Sequence, residues 1–107
     1  MNCQEQILVE TTFYMSSYCA SCGVIYVYDG IYSFDFSYEE FCHWGESLLD
    51  LDYNANCEMN GDFSYLKVYS PYHGYCFEFS KTLWSEFQDM LGQTLVLLQV
   101  YRMIDSH

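Results

Sequence analysis

Two stretches of this chain carry the same order of apolar and polar positions. Phe34-Asp35-Phe36-Ser37 alternates with the two-residue period of a half-buried strand, and Phe77-Glu78-Phe79-Ser80 repeats it 43 residues later. Behind each stretch the period changes to that of a helix. Phe41, Trp44 and Leu48 form the stripe in the first copy, and Trp84, Phe87 and Leu91 occupy the matching positions in the second. A β-rich run precedes each, so each copy reads strand, turn, strand, helix. The pattern predicts one α+β domain over 1–107, a duplicated β-β-α unit with repeat one at 19–52 and repeat two at 63–104. Its antiparallel sheet is expected to pack on two helices. Ile7 to Met15 reads as an additional N-terminal strand, and Asp52 to Asp62, rich in Asn, Gly and acids, as the linker between repeats.

Turn chemistry fixes an expected register in each hairpin. Asp29-Gly30 has the composition of a two-residue type I′ turn, in which both positions need positive φ. That turn pairs Tyr28 with Ile31 and Val27 with Tyr32, sending Ile25, Val27, Tyr32, Phe34 and Phe36 inward and Tyr26, Tyr28, Ser33 and Asp35 outward. In the second copy Pro71-Tyr72-His73-Gly74 makes a four-residue loop. It pairs Ser70 with Tyr75 and Val68 with Phe77, and buries Leu66, Val68, Phe77 and Phe79. Lys67 then falls opposite Glu78 on the outer face, a cross-strand pair of opposite charge.

Ser37 and Glu40 form a Ser-x-x-Glu capping box for the first helix, whose stripe is Phe41, Trp44, Leu48 and Leu51. Ser80 is the matching N-cap of the second helix, with the stripe Leu83, Phe87, Leu91, Leu95 and Leu98. Beyond Gln93 that helix turns apolar almost all round through Val96, Leu97, Val100, Met103 and Ile104, so this end is either buried on two sides or joins a homodimer.

Charge changes the picture. Fifteen acids face Lys67, Lys81 and Arg102, a net charge of −12. Such a field repels nucleic-acid backbones and anionic membranes and steers the chain toward basic protein surfaces, including those that hold DNA or RNA. No apolar run has the length of a membrane span or a signal core, which makes a cytoplasmic protein the expectation. In that setting the six cysteines are expected to be reduced thiols.

Cys19-Ala-Ser-Cys22 is the clearest chemical motif, because two thiolates in one turn can hold a zinc ion or form a redox disulfide. Tetrahedral zinc needs two more ligands, and Cys3, Cys57 and His43 have no diagnostic spacing for it. Buried or surface thiols, a structural zinc site and a redox pair therefore all stay open. Cys42 and His43 are adjacent on a helix and point about 100° apart, too divergent to share a proton. His73 sits in a hairpin loop, where solvation is the simplest expectation. No Walker loop, zincin motif or nucleophile elbow is present, so a non-enzymatic role is expected.

The outer hairpin faces carry the strongest functional signal. Tyr26, Tyr28, Tyr65 and Tyr69 stand among Asp35 and Glu78, and Tyr supplies large, rather rigid contact area with a polar tip. With Glu39, Glu46, Asp50 and Asp52 these residues are the expected partner-binding set, suited to an Arg-rich surface. Tyr is also a common strand residue, so the same positions are consistent with simple sheet packing.

From Cys19 to Leu51, and again from Ser64 to Leu91, the pattern resembles a group of small bacterial proteins of unassigned function. These combine Cys-x-x-Cys, a hairpin with a central Gly, then Glu-Phe-x-x-Phe and a helix. Glu40-Phe41-Cys42-His43-Trp44 keeps that last motif in part, with Trp44 departing from it, as does the Asp-Gly turn. The resemblance implies a cytosolic bacterial or phage origin and no particular activity. In size and acidity the chain is also similar to phage-encoded inhibitors such as anti-CRISPR proteins, a likeness of composition. The expectation is a small acidic inhibitor or adaptor that docks on a basic nucleic-acid-binding protein or enzyme, with a zinc-binding module through Cys19 and Cys22 as the alternative.

Overall fold

Alternating β-branched and aromatic residues build most of the strands, and two serine caps start the long helices. The computed structural model describes residues 4–105. Along them run β1 (Gln6–Glu10), β2 (Met15–Cys19), β3 (Val24–Tyr28), β4 (Ser33–Ser37), α1 (Tyr38–Leu49), α2 (Tyr53–Asn56), β5 (Glu58–Asn60), β6 (Phe63–Ser70), β7 (Tyr75–Phe79) and α3 (Lys81–Asp105). The α+β class holds. The strands divide between two antiparallel sheets, β1-β2-β3-β4 and β5-β6-β7, rather than forming one.

The N-terminal region is a hairpin, not the single strand expected from Ile7 to Met15. Thr11 donates its backbone N–H to the Tyr14 carbonyl at 2.8 Å, closing a turn that carries neither Gly nor Pro and so gave no signal in the sequence. A bulge between Ile7 and Val9 lets Val9 reach the core while Ile7 stays exposed. The segment expected as linker folds too. Asp52 caps α2 through Oδ2, which accepts from the Ala55 N–H at 2.8 Å, and β5 then pairs with β6.

The second hairpin has the expected register, with Ser70 opposite Tyr75, Lys67 opposite Glu78 and Val68 opposite Phe77. The first does not. Val27 lies opposite Phe34 and Tyr28 opposite Ser33, so the connection is four residues, Asp29 to Tyr32. The cause is the Asp29 carboxylate, whose Oδ1 accepts from the N–H groups of Ile31 (3.0 Å) and Tyr32 (2.7 Å), with Gly30 at φ +93°. The slip is an even number of residues, so Phe34 and Phe36 still face inward, but Tyr32 leaves the core and is 55% exposed.

Both helix starts are as expected. The Ser37–Glu40 capping box is complete, and Ser80 Oγ accepts from the Leu83 N–H at 3.2 Å. Phe41, Trp44 and Leu48 are buried on α1, and Phe87, Leu91, Leu95 and Leu98 on α3; Leu51 and Leu83 are half-buried. One apolar cluster joins both sheets and both long helices. Within it α3 is fastened to β2 by a buried polar tie: the Thr94 hydroxyl donates to the Met90 carbonyl at 2.7 Å, leaving it to accept from Ser16 Oγ at 2.6 Å. Among the described residues no helix is long and apolar enough to cross a membrane.

Candidate functional site

Pleat and register place Tyr26, Tyr28 and Asp35 together on the outer face of the first sheet. Tyr26 lies between Ser17 and Asp35 across the strands, Tyr28 between Met15 and Ser33, and Met15 pairs in turn with Glu10. The Tyr26 and Tyr28 rings stack at 6.4 Å. Ahead of β1, Glu5 reaches over this face, where its Oε2 accepts from Ser17 Oγ and from the Tyr28 hydroxyl, each at 2.8 Å. Burial first, and then that carboxylate contact, raises the Tyr28 phenol above its ordinary value, so it remains a donor.

At one end of the face the two hairpin tips meet. Glu86 of α3 holds the first tip, its Oε2 accepting from the Thr11 hydroxyl and the Phe13 N–H, both at 2.9 Å. Asp29 holds the second in the manner described above. With both backbones pinned, Phe13 and Ile31 project outward, Ile31 with 82% of its surface exposed, while the half-exposed Tyr32 keeps its ring against Phe34 and Tyr75. Two open grooves of about 220 and 360 Å³ run between the tips and share Met15, Tyr28 and Gly30 as lining. The face is therefore aromatic at its centre, apolar at its tip, and edged by Glu5, Glu10, Asp29 and Asp35. Lys67, Lys81 and Arg102 all lie beyond residue 66, so no strand of this sheet carries a Lys or Arg.

The other expected residues sit elsewhere. Tyr65, Tyr69 and Glu78 share the outer face of the second sheet, where the Lys67 ammonium stands 5.7 Å from the centre of the Tyr65 ring and opposite Glu78. A cation thus offsets the acid there, as no Lys or Arg does on the strands of the first sheet. Glu39 and Glu46 are exposed on α1, Asp50 is its C-cap, and Asp52 spends its carboxylate on capping α2. The ten residues fall into three groups rather than one surface. Missing from the sequence reading were Glu5, Phe13 and Ile31, none of which belongs to a motif.

The two cysteines of the Cys-x-x-Cys motif differ in environment and in bonding. Cys19 is fully buried and disulfide-bonded, whereas Cys22 is exposed and free; Cys42, Cys57 and Cys76 are free as well. Reduced thiols throughout, and a thiolate pair at Cys19 and Cys22, are both corrected by this. Cys3 lies outside the described residues. Among those described, no group of three or more His, Cys, Asp or Glu side chains is placed to hold a metal ion. Cys42 is half-buried, and burial pushes its thiol up, so it stays protonated at neutral pH. His73 is not simply solvated. Its Nε2 donates to the Asp35 carbonyl at 2.7 Å, and its Nδ1 accepts from the Ser70 hydroxyl at 2.7 Å, tying the second hairpin loop to the free edge of β4.

No protein-family model matches this chain, and neither a curated protein nor a solved structure does so.

Proposed function

We propose that the chain is an acidic protein-binding domain, an inhibitor or adaptor, which docks the outer face of its first sheet on a basic protein surface of the kind that holds nucleic acid. The observation that carries this reading is the concentration of Tyr26, Tyr28, Phe13 and Ile31 on a face with four carboxylates around it and no Lys or Arg on its strands. Aromatic side chains anchor interfaces, and Tyr28 is already fixed by Glu5, so less ordering remains to be done on binding. The net charge of −12 speeds encounter with a basic partner and keeps nucleic acid itself away. The compositional likeness to phage-encoded inhibitors points to the same class of role, a bacterial nucleic-acid enzyme being the natural target.

The test is capture by the immobilised full chain, followed by competition. The captured protein is expected to be basic, to release as salt rises, and to exchange the chain for its DNA or RNA. Tyr26→Ala together with Ile31→Ala is expected to weaken binding at least tenfold without unfolding the domain, as judged by circular dichroism. A partner that binds nucleic acid and this chain at once, or binding indifferent to the double substitution, would overturn the reading.

A further inference from the structure

The C-terminal half of α3 buries one side and leaves the other bare. Leu91, Leu95 and Leu98 are inside, while Val96, Val100 and Ile104, spaced four apart, are 60%, 46% and 63% exposed. Position 92 is glycine, and between it, Gln93, Val96 and Leu97 lies an open groove of about 390 Å³. From Met90 to Tyr101 there is no ionisable acid or base other than the tyrosine itself.

We infer that this face pairs with the same face of a second copy, the two α3 helices crossing antiparallel about a two-fold axis between Val96 and Val100. Charge selects the occupant. Copies of a chain at −12 repel each other wherever acids face acids, and the Met90 to Tyr101 stretch is where a long exposed apolar face carries none. A basic partner gains nothing from an uncharged ridge, whereas a second copy meets no facing acid there and is opposed only by the longer-range repulsion of the two bodies. The ridge is also self-complementary in the way a two-fold contact requires. Val96 of each copy meets Val100 of the other, which seats in the groove beside Gly92. The helix surface from Gln93 to Ile104 is about 18 Å long, so the contact is small and the dimer belongs to the weak end of the range. It leaves the outer face of the first sheet out of the contact, so the dimer presents two copies of that face.

Sedimentation of the full chain across a wide concentration range tests this. The wild type is expected to pass from monomer to dimer as concentration rises. Added salt should strengthen the association, because screening weakens the repulsion between the two acidic bodies. Val96→Glu and Val100→Glu are each expected to give a monomer at every concentration with unchanged circular dichroism and little change in Tm. A wild type that stays monomeric at all concentrations and salts overturns the inference. So does a dimer that survives both substitutions, or a monomeric wild type that loses capture of a heterologous protein when Val96 is replaced.

Discussion

Phe34 and Phe77 hold the same place in the two repeats, and their rings meet each other at 4.8 Å. Trp44 and Phe87, also equivalent, meet at 6.1 Å. Contact between equivalent positions is what a two-fold arrangement produces, since the axis must pass between such pairs. The contacts inside each unit match as well. Phe36 lies 5.7 Å from Phe41 and 5.1 Å from Trp44, while Phe79 lies 5.1 Å from Trp84 and 4.8 Å from Phe87. The domain is thus organised like a dimer of hairpin-and-helix units within one chain, with aromatic rings at the seam.

Because each ring of the Phe34 and Phe77 pair has the other as a neighbour, their losses should not add. Phe34→Ala and Phe77→Ala are each expected to cost roughly 3–5 kcal/mol of unfolding free energy. The double variant should fall short of the sum by about 0.5–1.5 kcal/mol, the usual worth of an aromatic pair. Denaturant melts of the four proteins measure this coupling. Strict additivity would mean that the seam is not a mutual contact.

Repeat symmetry breaks at Gln88, and the break has a structural use. The equivalent position in the first unit is Gly45, buried against Leu95 where α1 crosses α3. In the second unit the Gln88 amide reaches the end of α1, its Nε2 donating to the carbonyls of Leu48 (3.0 Å) and Leu51 (3.1 Å), and the Trp84 indole N–H also donates to Leu51 (3.3 Å). Leu51 lies just past the end of α1 and the Leu48 carbonyl already accepts from the Leu51 N–H at 3.2 Å, so the Gln88 amide adds donors from α3 at a helix end that has no basic residue in its last turn. Gln88→Glu keeps the shape but replaces the donor with a second acceptor. It is expected to lower stability by about 1–3 kcal/mol, against a smaller loss for Gln88→Lys, which restores a donor. Equal Tm values for wild type and Gln88→Glu would refute the capping role.

The difference between the two hairpins shows what the sequence can and cannot say. Around Pro71 to Gly74 the loop length, the proline and the Lys67 and Glu78 pairing all favour one register, and that register is observed. Around Asp29-Gly30 the dipeptide signals a short turn, yet the Asp29 side chain offers the backbone a competing arrangement that adds two residues to the loop. Periodicity survives such a slip, which is why the inward facing of Phe34 and Phe36 was legible while the exposure of Tyr32 was not. The hairpin of β1 and β2 escaped for another reason. Its turn is stabilised by Glu86, more than seventy residues away, and no local pattern encodes that contact. The same holds for the binding face. Tyr26, Tyr28 and Asp35 follow from alternation alone, but Glu5, Phe13 and Ile31 join them only through tertiary hydrogen bonds and turn geometry.

Glu86 also bears on the pH response, through Tyr14. This ring is buried against Phe87 and Phe79, and burial first, then the negative charges of Glu86 and Asp29, pushes its phenol up to about 12 from 10.0. The folded state therefore holds the proton more tightly than the unfolded state does. The resulting stabilisation is fully present below pH 10 and is lost as pH rises from there toward 12. Tyr28, Tyr38 and Tyr75 are shifted in the same direction, so the wild type loses stability in alkali through several groups at once. The difference between wild type and Tyr14→Phe isolates one of them. Chemical denaturation at intervals from neutral pH into this range is expected to show a stability difference that is constant below pH 10 and shifts in favour of the variant above it. Glu86→Gln should leave the onset at pH 10, which the unfolded chain sets, and make the loss above it smaller, by removing a charge that opposes ionisation in the fold. A difference that stays flat across the whole range would show that Tyr14 ionises as freely in the fold as in the unfolded chain.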